Sequence, residues 1–151
     1  MSLVSVQQRL YPESTCFGCG LANARGLRLQ SFVDGEGVRA TFTPWAEHDN
    51  GVGFLNGGII STVLDCHSGA AAFHEADMRG WPPAPGAPYP YVTAGLTVAF
   101  LRPAPLHAAC ELRARVTDAD EDQMLVEAEL LWEGKQRAIA TSHWKRWRPR
   151  R

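Results

Sequence analysis

Apolar and polar positions along the chain change period twice. Residues 38–42, Val38-Arg39-Ala40-Thr41-Phe42, alternate, the period of a strand with one face on a core. Residues 27–33 alternate less regularly, and Asp34-Gly35-Glu36-Gly37 between the two stretches is a turn signal, so together they predict a hairpin. From Ile59 to about Met78 no proline or turn signal interrupts the pattern. Asn56 is placed to cap a helix there, with Gly57 and Gly58 in its first turn. Ile59, Ile60, Val63, Leu64, Cys66, Ala70, Ala71 and Phe73 cover much of its circumference, which predicts a helix buried on most sides. Residues 79–90 carry five prolines and read as a loop. Four strand-like stretches follow, 93–101, 109–116, 124–132 and 137–147, with turns at 118–122 and 133–134. Residues 1–15 read as a helical or irregular lead-in, 16–20 as a tight loop and 44–55 as a polar loop. Consecutive strands with short turns pair antiparallel. The expected fold class is α+β, a curved antiparallel sheet around one long central helix.

Composition narrows the function. The 151 residues are 45% hydrophobic and 21% charged, which suits one globular domain over 1–151 with a real core. A net charge of -1 argues against nucleic acid as a partner. No apolar run approaches the roughly 20 residues that a membrane helix needs, so no membrane partner is expected. The opening residues lack a signal-peptide layout, and a cytoplasmic location is expected. The four cysteines, Cys16, Cys19, Cys66 and Cys110, are too sparse for a disulfide scaffold and are expected as free thiols.

Two constellations carry candidate chemistry. Asn56-Gly57-Gly58 opens the helix, and backbone N–H groups bared by glycine at a helix N-terminus can hold an oxyanion. Asp65 lies in the middle of the same helix, where a carboxylate is costly unless paired or used. Ser61 and Ser68, one turn to either side, are its expected hydrogen-bond partners. Asp65 is about 12 Å along the axis from Gly57. One helix cannot bring both to one reacting group, whereas two antiparallel copies can, so a homodimer is expected. The second constellation, Cys16-x-x-Cys19, could join Cys66 and His67 in a zinc site, but helical neighbours point roughly 100° apart. The reading preferred is a structural loop with no metal. His67 and His74 share a helix face and read mainly as satisfied core histidines. The basic run 145–151 reads as a solvated tail that a phosphate-bearing ligand could use.

The chain resembles the hotdog-fold acyl-CoA thioesterases of the PaaI-like group. The resemblance rests on Cys16-Phe17-Gly18-Cys19-Gly20 with Asn23 and Gly26-Leu27, on Gly57-Gly58 with Asp65, and on Thr93-Ala94-Gly95-Leu96-Thr97-Val98-Ala99-Phe100-Leu101-Arg102-Pro103. It spans roughly residues 16–145, with the motifs in family order. It implies a hotdog fold, a homodimer that often pairs further into a homotetramer, and an acyl-CoA thioester hydrolysed without metal or other cofactor. Gly57 would polarise the carbonyl, and Asp65 from the other subunit would act as base or nucleophile. Thr93 would sit near the attacking water. Asn23, Asn56, Gly58, Ser68 and Arg102 would bind substrate, Arg102 through coenzyme A. Two positions depart from the pattern: Asn56 replaces the usual His, and Gly69 stands where some relatives have a hydroxyl. Trp81, Tyr89 and Tyr91, in and beside the proline-rich loop, could line an acyl pocket. Asn56 keeps open a non-catalytic acyl-CoA-binding protein on the same fold. A hydratase would need His48 as its histidine, and a zinc-dependent structural protein is the last rival.

Overall fold

The structure is a computed structural model that describes residues 3–150. A short helix α1 (Val6–Leu10) is followed by β1 (Phe32–Asp34), β2 (Gly37–Phe42), the long helix α2 (Gly57–Met78), β3 (Tyr91–Phe100), β4 (Cys110–Ala119), β5 (Gln123–Trp132) and β6 (Lys135–Arg146). The six strands form one antiparallel sheet in the order β1-β2-β4-β5-β6-β3. The expected α+β class and the order of elements hold. The first strand is shorter than expected: residues 27–31 are irregular, Arg28 has φ 54, and pairing begins at Phe32↔Arg39. A left-handed residue breaks the extended run that the alternation suggested.

Alternation sets the sheet's inner face. Val38, Ala40 and Phe42 of β2, Leu112 and Ala114 of β4, Val126, Ala128 and Leu130 of β5, and Ala138, Ala140 and Trp144 of β6 are all buried. They pack on Val63, Leu64, Ala70, Ala71 and Ala72 of α2, which are at most 4% exposed. Small residues on both surfaces let helix and sheet approach closely. Gly69 shows how closely: a Cβ there would lie 2.9 Å from Cη2 of Trp144. That contact explains why this position carries no hydroxyl. The Trp144 indole N–H donates to Ser142 Oγ at 2.8 Å, which satisfies both polar groups inside the core.

Turns follow their residue chemistry. Glu133 and Gly134 both have positive φ, 53 and 73, the requirement of a tight two-residue hairpin between β5 and β6. β3 contains a bulge: Thr93 pairs with Trp144, but Gly95 pairs with His143. Ala94 is the extra residue, and the strand's faces exchange across it. Tyr91 and Thr93 before the bulge, and Leu96, Val98 and Phe100 after it, thereby share the side that faces the helix. β3 is also an edge strand, and most of it is exposed.

Candidate active site

Asn56 ends the loop before α2 with φ -61 and ψ 134, and its Oδ1 accepts from the N–H groups of Gly58 at 2.8 Å and Ile59 at 3.2 Å. This is the expected cap. Gly57 N–H has no acceptor among the described residues. It stands at the positive end of a 22-residue helix, and the Phe100 ring lies 3.4 Å from where a Cβ on Gly57 would be. A donor in this position can take a developing negative charge.

Two turns further on, Asp65 is half-buried and accepts a 2.8 Å hydrogen bond from Thr93 Oγ1 on β3 of the same chain. Burial pushes its carboxyl above the ordinary carboxylate value, the Thr93 bond pulls it back, and the charge of Cys16 pushes it up again. The bulge is what turns Thr93 toward the helix. Neither expected serine partner serves Asp65. Ser61 Oγ donates to Gly57 O at 2.9 Å, and Ser68 is fully buried with an unpartnered hydroxyl, so a substrate-binding role for Ser68 does not fit its position. The resemblance puts Thr93 and Asp65 at one site, but their direct hydrogen bond within one chain is not legible in the sequence, because the bulge hides Thr93's direction.

Other expected residues lie where they serve the fold. Asn23 donates to Thr15 O and accepts from Arg25 N–H, holding its own loop. Gly58 is exposed beside Gly57, and Arg102, just past the end of β3, is exposed with one guanidinium N–H on Gln136 O at 3.4 Å. Tyr91 is 1% exposed, with its hydroxyl on Glu121 O, so it belongs to the core and lines no pocket. Tyr89 stacks on Phe73 and shares a hydrogen bond with Ser14, while Trp81 lies under Arg79. His48 is buried, stacks between Phe42 and Trp45 and takes the Trp45 N–H on Nδ1. It is a loop anchor and cannot serve as the histidine of a hydratase at the helix start. In the basic tail, Arg146 is engaged with Trp81 O, Pro82 O and the Tyr91 ring, and Arg148 lies 3.4 Å from Asp122. Arg151, the tail's last residue, lies outside the described residues.

Three thiols gather beside Asp65. The sulfurs of Cys16, Cys19 and Cys66 all lie within 4.8 Å of one another. S–H donation from Cys19 and Cys66 holds Cys16 well below the usual thiol value, while the same contacts and burial raise Cys19 and Cys66. His67 takes no part. Its Nε2–H donates to Val38 O at 3.1 Å, so Nδ1 accepts from Ser31 Oγ at 2.8 Å. Burial lowers its pKa to about 4, with the Val38 carbonyl pulling slightly the other way.

Two open grooves of about 670 and 690 Å³ lie elsewhere, one of them on the outer face of the sheet among Thr97, Ile139 and Thr141. Neither takes a residue from α2. Chemistry, more than hollowness, marks the site: a paired carboxylate and an unpaired N–H on one helix, both beside an open sheet edge.

Residues 52–139, more than half of the chain, match the family model of the thioesterase superfamily. The chain belongs to the thioesterase superfamily. Solved structures agree on the fold. A thioesterase superfamily protein from Shewanella loihica PV-4 is 26% identical, covering 84% of this chain and 97% of its own, with TM-score 0.63. The PaaI protein of the E. coli phenylacetic acid degradation operon is 20% identical over 83% of this chain and 84% of its own, with TM-score 0.68. A phenylacetic acid degradation-related putative thioesterase from Ralstonia eutropha JMP134 is 22% identical over 94% and 99%, with TM-score 0.68. No curated protein matches in sequence. The architecture is the hotdog fold shared with these PaaI-related structures, and the family supports thioester hydrolysis in general. No helix among the described residues is long and apolar enough to cross a membrane.

Proposed function

We propose that the chain hydrolyses acyl-CoA thioesters as a homodimer, each of whose two sites joins Gly57 of one protomer to Asp65 and Thr93 of the other. The observation that carries this reading is the pairing of Thr93 on β3 with Asp65 on a helix whose Gly57 N–H, about 12 Å away, has no acceptor among the described residues. Two half-sites at that offset complement each other when the helices run antiparallel. The edge strand supports the same arrangement. β3 is ten residues long, apolar and unpaired on its outer edge, an arrangement that proteins ordinarily cover. Its helix-facing Leu96 and Phe100 remain 36% and 55% exposed, surface that a second protomer would bury.

In the reaction, the thioester carbonyl oxygen rests on Gly57 N–H. Thr93 donates to Asp65 Oδ1, and its oxygen lone pairs are free to hold a water against the carboxylate. Asp65 takes a proton from that water as its oxygen attacks the carbonyl carbon. The tetrahedral oxyanion is stabilised by the Gly57 N–H and the helix dipole. Its collapse breaks the C–S bond, and the proton held by Asp65 passes to the departing thiolate, leaving free acid and coenzyme A. A raised carboxyl pKa suits a group that must both take and return that proton. None of these steps needs an imidazole, so Asn56 can replace the familial His as a helix cap without removing a catalytic group. Arg102, at the exposed end of β3, is the cation we assign to the coenzyme's phosphates.

The test is thiol release from short, medium, aromatic and long acyl-CoAs, with sedimentation at the assay concentration. Turnover of at least one class by a dimer is expected. Acyl-CoA binding without turnover would favour the binding-protein reading, and an active monomer would overturn the shared site.

A further inference from the structure

We propose that Cys16, Cys19 and Cys66 form a three-thiolate site for one zinc ion, pinning the 16–20 loop to α2 beside Asp65. The sequence argues against zinc because Cys66 and His67 cannot both face the CxxC pair, and the structure shows that they need not. Cys66 turns to the loop alone while His67 is consumed by Ser31 and Val38. The Cys16 and Cys66 sulfurs are 3.7 Å apart. In a tetrahedral zinc thiolate with bonds of about 2.3 Å, the sulfur–sulfur edge is about 3.8 Å. The third sulfur completes a triangle whose sides are all within 4.8 Å, so small side-chain rotations suffice to close it on an ion.

Two features of the loop look built for this approach. Gly18 packs directly against the helix: a Cβ there would clash with Cys66 Sγ. Any side chain at 18 would displace that sulfur from the triangle. Cys16 is exposed while Cys19 and Cys66 are buried, so the ion has an entry path and an open fourth position for water. Thiols still protonated release their protons to solvent as the ion binds, and no redox change is involved. A disulfide is the competing fate of two of these thiols, and it would leave the third unused.

The experiment uses fully reduced protein, stripped with chelator and titrated with Zn2+ alone, then with Co2+ as a spectroscopic stand-in. Wild type should bind about one zinc per chain, show thiolate-to-cobalt charge-transfer absorption, and melt higher with zinc than without. Cys16→Ser, at the exposed corner, should fold normally and bind zinc at least about 10-fold more weakly. Cys66→Ser should do the same, and Cys110→Ser, on β4 and outside the triangle, should bind as wild type. Absence of stoichiometric zinc in the reduced wild type would overturn the site, as would undiminished binding by Cys16→Ser. No readout depends on turnover, so the site and the hydrolase reading stand or fall separately.

Discussion

Asp65 and His67 stand two residues apart on α2 and meet opposite fates. His67 is turned fully inward, where both ring nitrogens are matched by Ser31 and Val38 and burial holds the ring neutral. Asp65 points to where the sheet ends, has one hydrogen bond and keeps a side open. A buried titratable group with every polar atom satisfied serves the fold, because nothing is left with which to meet a substrate. A half-buried group with a single donor, beside an uncovered edge, retains capacity for chemistry. On one helix, proximity in sequence says little; the side of the helix decides.

Exchanging the two roles is the sharpest way to break this contrast. Asp65→Asn keeps shape and the Thr93 contact but removes the base. It should lower turnover of the best acyl-CoA by about 100-fold or more, with near-normal dimerisation and melting temperature. If turnover is nearly unchanged, the assignment fails; if the variant does not fold, Asp65 belongs with His67. His67→Ala should do the reverse. It leaves a void and removes the ring's hydrogen bonds to Ser31 Oγ and Val38 O, so denaturant melts should show a loss of roughly 2 kcal/mol or more.

His67 also gives the contrast a pH signature. Its pKa in the folded chain, about 4, lies below the ordinary 6.5, so between these values the unfolded chain binds more protons. Its share of the stability is therefore complete above pH 6.5, drains away as pH falls through that window, and changes no further below about 4. Melting curves across pH should follow this course, with a shallower loss in His67→Ala. The smallest effect concerns the helix start. Asn56→Ala removes the acceptor from Gly58 and Ile59 N–H and should cost about 1 kcal/mol of stability. If it also abolishes turnover without loss of structure, Asn56 does more than cap.

The long helix, its cap and the later strands were legible because each rests on a local rule: an Asn before glycines, period two along residues 124–132, and a Glu-Gly turn. The glycines of the site and Asp65 could be named as candidates for the same reason, whereas Thr93 came only through the family resemblance. What stayed hidden depends on contacts between distant segments. The alternation of 27–33 could not reveal the positive φ at Arg28. The reach of Cys66 to a loop 50 residues earlier turns on Gly18, whose role appears only when the helix is laid against it. Ser68 looked like a partner of Asp65 by spacing alone, yet the helix carries it into the core.

The bulge at Ala94 makes β3 two reading frames spliced at one residue. Upstream, Thr93 is in phase with the helix; downstream, Leu96 and Phe100 are in phase with the same side only because one residue has been added. Loss of that residue would act on the strand as a frameshift acts on a gene. Composition would barely change, yet either the carboxylate's hydroxyl or the apolar rim would be turned to the opposite surface. Within this fold, substitutions along β3 grade the site, whereas a change of length there rewrites it.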